Sequence, residues 1–397
     1  MKQARVAIVG AGPAGLTAAL AARKLGLDVT VFEKTLNFER VGGGLLLHSN
    51  GLRVLETLSL LDLLRPVMRA CSTLAVELPG GQRLSTFDYR KLKIPHNYCA
   101  VVMRYHLQEY LLSAVEWSGV PVLAGHRCTG LSYKHGTACL SFANGAEHEC
   151  DVVIACDGIH SVAREAIGLK ASRHAVGQAY LRGIAEHGMA EATIREIWGP
   201  DGRRFGMCPL PGDQTYFFCS VPVGGWRTIL KSQLEFWIES WQMFGPDVST
   251  LLAAVDWSQV NYSEVQEIEL GRWWKLPVFV VGDAAHAMTP FMGQGANSAM
   301  VDALVLMRLL APALQSGASL ERVGRAYQSL RRPFVSRIQK SSRRLGLAGS
   351  WSSAPARHVR DTLMRLSGAI TPRGALLLGA GYNRREERYF CLESECA

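Results

Sequence analysis

Hydrophobic and polar positions along this chain follow two periods in turn, and each change of period predicts a change of element. The run ARVAIV at 4–9 is short and apolar, the pattern of a strand buried on both faces. It leads through a glycine-rich turn into an alanine- and leucine-rich helix reaching to about Leu25. DVTVFE at 28–33 repeats the strand pattern and ends in Glu33. Asn50 begins a helix with Leu52, Leu55 and Leu58 on one face, and VVMRYHLQEYLLSAV at 101–115 predicts another. Residues 74–89 alternate on either side of Gly80-Gly81 as a β-hairpin does. A further hairpin and the buried strand of ECDVVIACDG fall within 144–158.

From about 171 to 270 the character changes. LRGIAE, ATIREIWG, RRFGMCPLP and QTYFFCSVP alternate over short stretches separated by Gly, Pro and Asp, which predicts an antiparallel sheet. Within it Met207, Cys208, Tyr216, Phe217 and Phe218 can line a cavity, and alternation allows only every second one to do so. Leu234, Trp237, Ile238 and Trp241 form the apolar face of an amphipathic helix. GRWWKLPVFVV at 271–281 ends in another buried strand, which Asp283 closes. Asn297 and Ser298 stand at the capping place of a helix running to Leu310, short of Pro312, and helices follow over 320–345 and around 356–367.

Composition narrows the class. With 397 residues and 48% hydrophobic content the chain can build a large core and more than one lobe. LLL at 45–47 and ALLLG at 375–379 are far shorter than the roughly 18 apolar residues of a membrane span. The N-terminus imitates a secretory signal, but glycines at nucleotide-motif spacing interrupt its apolar stretch and no cleavage site follows Gly26. Ten cysteines without CxxC or Cys/His spacing read as free thiols, which points to a cytoplasmic protein without structural zinc. The net charge of +9 concentrates in RVGRAYQSLRRPFVSRIQKSSRR at 322–344. Without a nucleic-acid motif, that run reads as a solvated helical face near the phosphates of a dinucleotide rather than as a nucleic-acid site.

The candidate chemistry begins at Gly10-Ala11-Gly12-Pro13-Ala14-Gly15, placed between a strand and a helix. Its first glycine suits a tight turn, its second the approach of a pyrophosphate, its third the packing of helix on strand. Glu33, followed by Lys34, lies about 20 residues on, where a carboxylate takes ribose hydroxyls. Arg40-Val41-Gly42-Gly43-Gly44 is a second glycine-rich loop, and His48 just beyond it is either a proton relay or a structural residue at a helix start. Asp157-Gly158 ends a buried strand, with Ser161 as a cap and Arg164 one turn into the next helix, an anion-friendly corner. Asp283, Pro290, Gly293, Gln294, Gly295, Ala296 and Asn297 form the third loop, whose glycines allow backbone to approach a planar ligand.

VGDAAHAMTPFMGQGANSAMVDA at 281–303 resembles the second flavin motif of the single-component (group A) FAD-dependent aromatic hydroxylases, the family of para-hydroxybenzoate and salicylate hydroxylases. DGIHSVAR and the loop at 40–44 resemble the family's other flavin-contacting segments, and Arg104 matches its arginine near the FAD ribose or pyrophosphate. The resemblance covers roughly residues 4–345. It implies an α/β fold with a Rossmann-like FAD-binding lobe, an inserted antiparallel β-sheet substrate lobe and C-terminal helices. It places Asp283 on the ribityl chain and Pro290 and Gly293 through Asn297 beside the flavin ring, which makes Pro290 a candidate active-site group; His48 beside the second loop and Tyr216 in the alternating strands are candidates from their positions. NADH or NADPH would reduce FAD, and molecular oxygen would reach a small aromatic substrate through a flavin hydroperoxide.

The expected division is FAD-binding over 1–73, 101–170 and 271–345, a substrate-side hairpin over 74–100, the substrate sheet over 171–270 and a helical tail over 346–397. The expected assembly is a monomer or homodimer, with no nucleic acid, membrane span or metal. Two alternatives use the same lobe. A flavin-dependent halogenase normally carries WxWxIP, to which WWKLP at 273–277 is a poor match, and an isoprenoid-type reductase remains open.

Overall fold

The computed structural model describes residues 4–38, 43–134, 136–370 and 377–392. Its nucleotide-binding side is a six-stranded sheet in the order Trp274–Lys275, Val278–Val280, Val152–Ala155, Arg5–Val9, Asp28–Phe32, Val122–Leu123. All neighbours are parallel except the first pair. Val6 to Val9, Val152 to Ala155 and Val278 to Val280 are all buried, which explains why these strands read as continuous apolar runs rather than alternating ones. The helix Pro13–Lys24 packs against the helix Gly295–Ser316, so the first and last nucleotide-binding segments share one core.

A seven-stranded sheet stands beside it, in the order Asn261–Glu269, Ser172–Ala185, Thr215–Val221, Arg204–Pro209, Thr193–Trp198, Thr73–Glu77, Arg83–Asp88. It is antiparallel apart from the pairing of Thr193–Trp198 with Thr73–Glu77, so the hairpin at 74–89 extends the sheet at one edge. Alternation sorts its faces. Leu181, Phe205, Met207 and Phe217 point into a core closed by Trp237, Trp241 and Leu251. Tyr180, Arg182, Glu196, Arg204, Tyr216 and Phe218 point the other way, into a cavity. The expectation that Met207, Cys208 or Phe217 lines that cavity is therefore corrected: Met207 and Phe217 pack under the sheet, and Cys208 is buried beside Cys71 and Tyr89.

Several helix limits differ from those expected. Gly295–Ser316 starts before Asn297 and has no side-chain cap; it continues through Pro312 and stops at Gly317, whose φ of 71° is left-handed. A proline near the last turn removes only one donor, so tertiary packing carries the helix past it. This helix is long and apolar enough to cross a membrane, but 78% of its most apolar window is buried inside the protein, as befits a core helix. Leu320–Gly349 and Ala354–Ile370 are also longer than their expected spans.

The basic run at 322–344 does form a solvated helical face, with Arg322, Arg325, Arg332, Arg337, Lys340 and Arg344 exposed, but none of its residues lines the nucleotide groove, and two of its arginines turn to ion pairs instead. Arg331 is 1% exposed and ion-paired to Asp302 and Glu386. Arg343 pairs with Glu267 and Glu269. Burial opposes charge on Asp302, but Arg331 and His286 outweigh it and hold the carboxyl below its usual range. Cys71, Cys99, Cys128, Cys139, Cys150, Cys156, Cys208 and Cys219 are free thiols as expected, whereas Cys391 is disulfide-bonded.

Candidate active site

The fingerprint turn shows why its glycines stand where they do. Gly10 has φ +103°, and a Cβ there would lie 2.5 Å from the Cys156 carbonyl oxygen; one on Gly15 would collide with the Gly10 carbonyl. Gly12 has nothing within 4 Å of its missing Cβ and opens onto a groove of about 870 Å³. Glu33 closes one end of that groove. Its carboxylate accepts from the Ala11 amide at 2.8 Å and the Thr35 amide at 2.9 Å, so it shapes the turn as well as facing the groove. Gln108, one turn into the helix Arg104–Trp117, donates to the Ala11 carbonyl from the other side.

Lys34, Gly43, Gly44, Arg104, Asp157 and Gly158 also line the groove. Asp157 receives the Ala163 amide on Oδ2 at 3.1 Å and keeps Oδ1 buried without a partner; burial raises its pKa. Arg164, expected to contact the cofactor from an anion-friendly corner, does not line the groove. Its guanidinium is wholly buried and donates to the carbonyls of Ala284 at 2.8 Å and Ile159 at 3.4 Å, bracing the loop that carries Asp283. Arg40 lies outside the described residues.

A cavity of about 460 Å³ adjoins the groove, and Gly12, Gly44, Arg104, Gly158 and Arg182 line both. Asp283, Pro290, Gly293, Gly295, Ala296 and Ala14 form its nucleotide side; Leu46, Met288 and Phe291 supply apolar surface. Tyr216 packs so closely on the loop that a Cβ on Gly44 would lie 2.5 Å from its ring, and burial pushes its hydroxyl up to about 12. Gln294 and Asn297 are buried behind the loop instead of lining the cavity. Gln294 bonds Asn50 and the Gly379 carbonyl, while Asn297 bonds the carbonyls of Leu46 and Gly293.

His48 is also behind the loop. It is 3% exposed, its Nδ1 lies 2.7 Å from the Tyr89 hydroxyl, and burial lowers its pKa to about 4. Gly293, at φ +61°, would put a Cβ 2.9 Å from His48 Nε2. His48 thus sets the position of the loop's backbone and is not part of the cavity wall.

These residues fit FAD. Open backbone at Gly12, Gly158 and Gly295 can admit a pyrophosphate and a flat ring, and Asp157 and Asp283 offer acceptors along the way. A family model described as the FAD binding domain matches residues 3–342. The chain belongs to that family.

Within it, the chain is 28% identical to the aurachin C monooxygenase/isomerase of Stigmatella aurantiaca, over 91% of this chain and 94% of that protein. It is 30% identical to the 3-amino-4-hydroxybenzoate 2-monooxygenase of Streptomyces cremeus, over 91% of each. The solved tetrameric 2-methyl-3-hydroxypyridine-5-carboxylic acid oxygenase superposes with a TM-score of 0.77 at 28% identity, covering 91% of this chain and 96% of that one. This protein is a group A FAD-dependent monooxygenase, of the aromatic hydroxylases that the sequence resembles.

Sequence reading missed several of the monooxygenase's cavity residues: Tyr180, Arg182, Glu196, Arg204 and Phe291. A usable signal was present. Ile194, Glu196 and Trp198 share one side of their strand by alternation, and a carboxylate between two large apolar residues on a buried face requires a partner. Arg204 supplies it from the neighbouring strand, with Nε 2.5 Å from Glu196 Oε1.

Proposed function

We propose that the cavity holds a small electron-rich aromatic beside the flavin ring and that the enzyme hydroxylates it with NADH or NADPH and molecular oxygen. The observation that carries this reading is the shared wall between groove and cavity. Gly12, Gly44, Gly158 and Arg182 belong to both, so a flavin lying along the groove would present its ring to whatever occupies the cavity. Bound FAD would accept reducing equivalents from the nicotinamide and activate oxygen. The chain's own groups do the rest. Glu33 and Asp283 would take ribose and ribityl hydroxyls, with Gly10, Gly12, Ala14, Gly15, Lys34 and Arg104 around the phosphates and adenosine. Pro290, Gly293, Gly295 and Ala296 would flank the ring, and Asn297 and Gln294 hold that loop in place.

Around the cavity Leu46, Phe218, Met288 and Phe291 exclude water, while Tyr180, Arg182, Arg204 and Tyr216 offer hydrogen bonds that orient the substrate. The proposed division is a nucleotide lobe made from residues 1–73, 101–170 and 271–345, a substrate sheet from 74–100 and 171–270, and a tail from 346; the protein would act in the cytoplasm as a monomer or homodimer. The test is turnover of NAD(P)H with an aromatic panel under labelled oxygen. One labelled atom in the hydroxylated product, with no halide requirement, is expected. Oxygen drawn from water, or turnover without oxygen, would replace this reading with a dehydrogenase or reductase.

A further inference from the structure

The cavity carries a charge pattern that bears on its substrate, an inference resting on the reading above. Arg204 is 1% exposed and Glu196 8%, and both line the cavity. Their ion pair spans adjacent strands, where Glu196 stands opposite Gly206 and Trp198 opposite Arg204. The Arg204 guanidinium is also stacked, 4.4 Å over the Phe291 ring and 5.4 Å over Trp198, so it is held in one plane. Within that plane Nη1 is buried and makes no well-formed hydrogen bond, the Tyr180 hydroxyl being the neutral polar group that the cavity already sets beside the guanidinium.

Two physical consequences follow. A buried guanidinium nitrogen without a well-placed acceptor is unfavourable, so a cavity ligand that brings an oxygen to it adds a hydrogen bond that the protein's own groups do not make. The positive charge, however, is already met by Glu196. A ligand carboxylate at the same place would lose its own hydration and stand near a second buried carboxylate, in surroundings where like charges are poorly screened. An uncharged carbonyl or hydroxyl satisfies the same donor without either penalty.

We propose that Glu196 is a specificity-determining residue: by neutralising Arg204 it selects aromatic substrates whose oxygen on that side is uncharged, a ring carbonyl, amide, ketone or phenolic hydroxyl, over substrates with a carboxylate there. Phe291 then contributes in two ways, holding the guanidinium by one face and giving the substrate ring an apolar neighbour. Glu196 itself need not touch the substrate.

The experiment measures binding by perturbation of the flavin absorbance in the FAD-loaded protein, so it does not depend on turnover. Isomeric hydroxybenzamides and hydroxyacetophenones are compared with the matching hydroxybenzoates. The native protein should bind the best uncharged member at least about ten-fold more tightly than its carboxylate counterpart, the scale of one charge-assisted hydrogen bond. Glu196→Gln keeps the shape and removes the counter-charge, so it should reverse or abolish that preference. Arg204→Gln should bring both classes to similar, weak binding. Tighter carboxylate binding by the native protein overturns the inference. So does an unchanged preference in folded, FAD-loaded Glu196→Gln, or the failure of every member to perturb the flavin. If Glu196→Gln does not fold, the native preference and Arg204→Gln decide. Failure of the hydroxylase reading would look different: the expected binding order, with no oxygen-dependent product.

Discussion

The side-chain amide of Asn297 donates to the carbonyl of Leu46 at 2.7 Å, tying the helix after the third glycine loop to a strand 251 residues earlier. The same amide bonds the Gly293 carbonyl at 2.8 Å, and its oxygen accepts from the His48 amide at 3.1 Å. One buried residue therefore spaces the two loops that face the cavity. Asn297→Ala should lower stability by about 1–3 kcal/mol, because it leaves buried backbone groups unpaired. It should also weaken FAD retention. Thermal unfolding and FAD titration check this, and native values for both would mean that other contacts hold the loops.

Glu33 and Asp283 provide a separate test of the cofactor's course. Loss of either carboxylate should remove charge-assisted hydrogen bonds of about 1.5–3 kcal/mol. Glu33→Ala should show the larger loss of stability, since Glu33 also accepts from Ala11 and Thr35. Equilibrium dialysis of FAD with each variant reads the effect; unchanged affinity in both would remove the assignment.

Phe217 and Phe218 are chain neighbours with opposite duties. Phe218 lines the cavity, and Phe217 lies stacked on Phe205 in the core beneath the sheet, with centroids 5.9 Å apart. Phe217→Ala should cost about 3–5 kcal/mol of stability as a buried cavity forms. Phe218→Ala should instead open the site to water and divert NAD(P)H oxidation towards hydrogen peroxide. Product and peroxide yields per NAD(P)H, measured beside melting temperatures, separate the two; the opposite pattern would mean that the strand's faces are reversed.

Gly293 should resist any side chain. Its φ of +61° is left-handed, and a Cβ would press on His48 Nε2 at 2.9 Å and Leu46 at 3.1 Å. Gly293→Val is expected to abolish hydroxylation while the protein still folds. Full turnover with normal flavin absorbance would show that the loop does not border the ring.

His48 makes a prediction about acid. Burial lowers its pKa to about 4, against 6.5 for the free side chain, so between these values the unfolded chain binds the proton that the folded chain refuses. Stability should therefore fall as pH drops from about 6.5 towards 4, by up to about 3 kcal/mol. His48→Gln should flatten that part of the profile in denaturant titrations. An identical slope would assign the acid sensitivity to other groups.

The sequence by itself determined the nucleotide-binding half because its signals are local. A short apolar strand, three glycines and a terminal Glu33 specify a turn read from nearby residues, and Gly15 is needed for contact within that turn, while Gly10 also clears the distant Cys156 at the end of the neighbouring strand in the sheet. Alternation likewise announced the second sheet and the hairpin that joins it. Tertiary structure alone decided which face of each strand met the cavity, because alternation fixes neighbours to opposite sides without naming the inner one. It moved Arg164 to the support of the Asp283 loop and set His48 behind Gly293, since side chains near a motif in sequence can turn away from the ligand to satisfy buried carbonyls. It also brought Glu196 to Arg204. That pair lies on separate strands, each residue looks unfavourable on a buried face when read alone, and only register places one charge against the other.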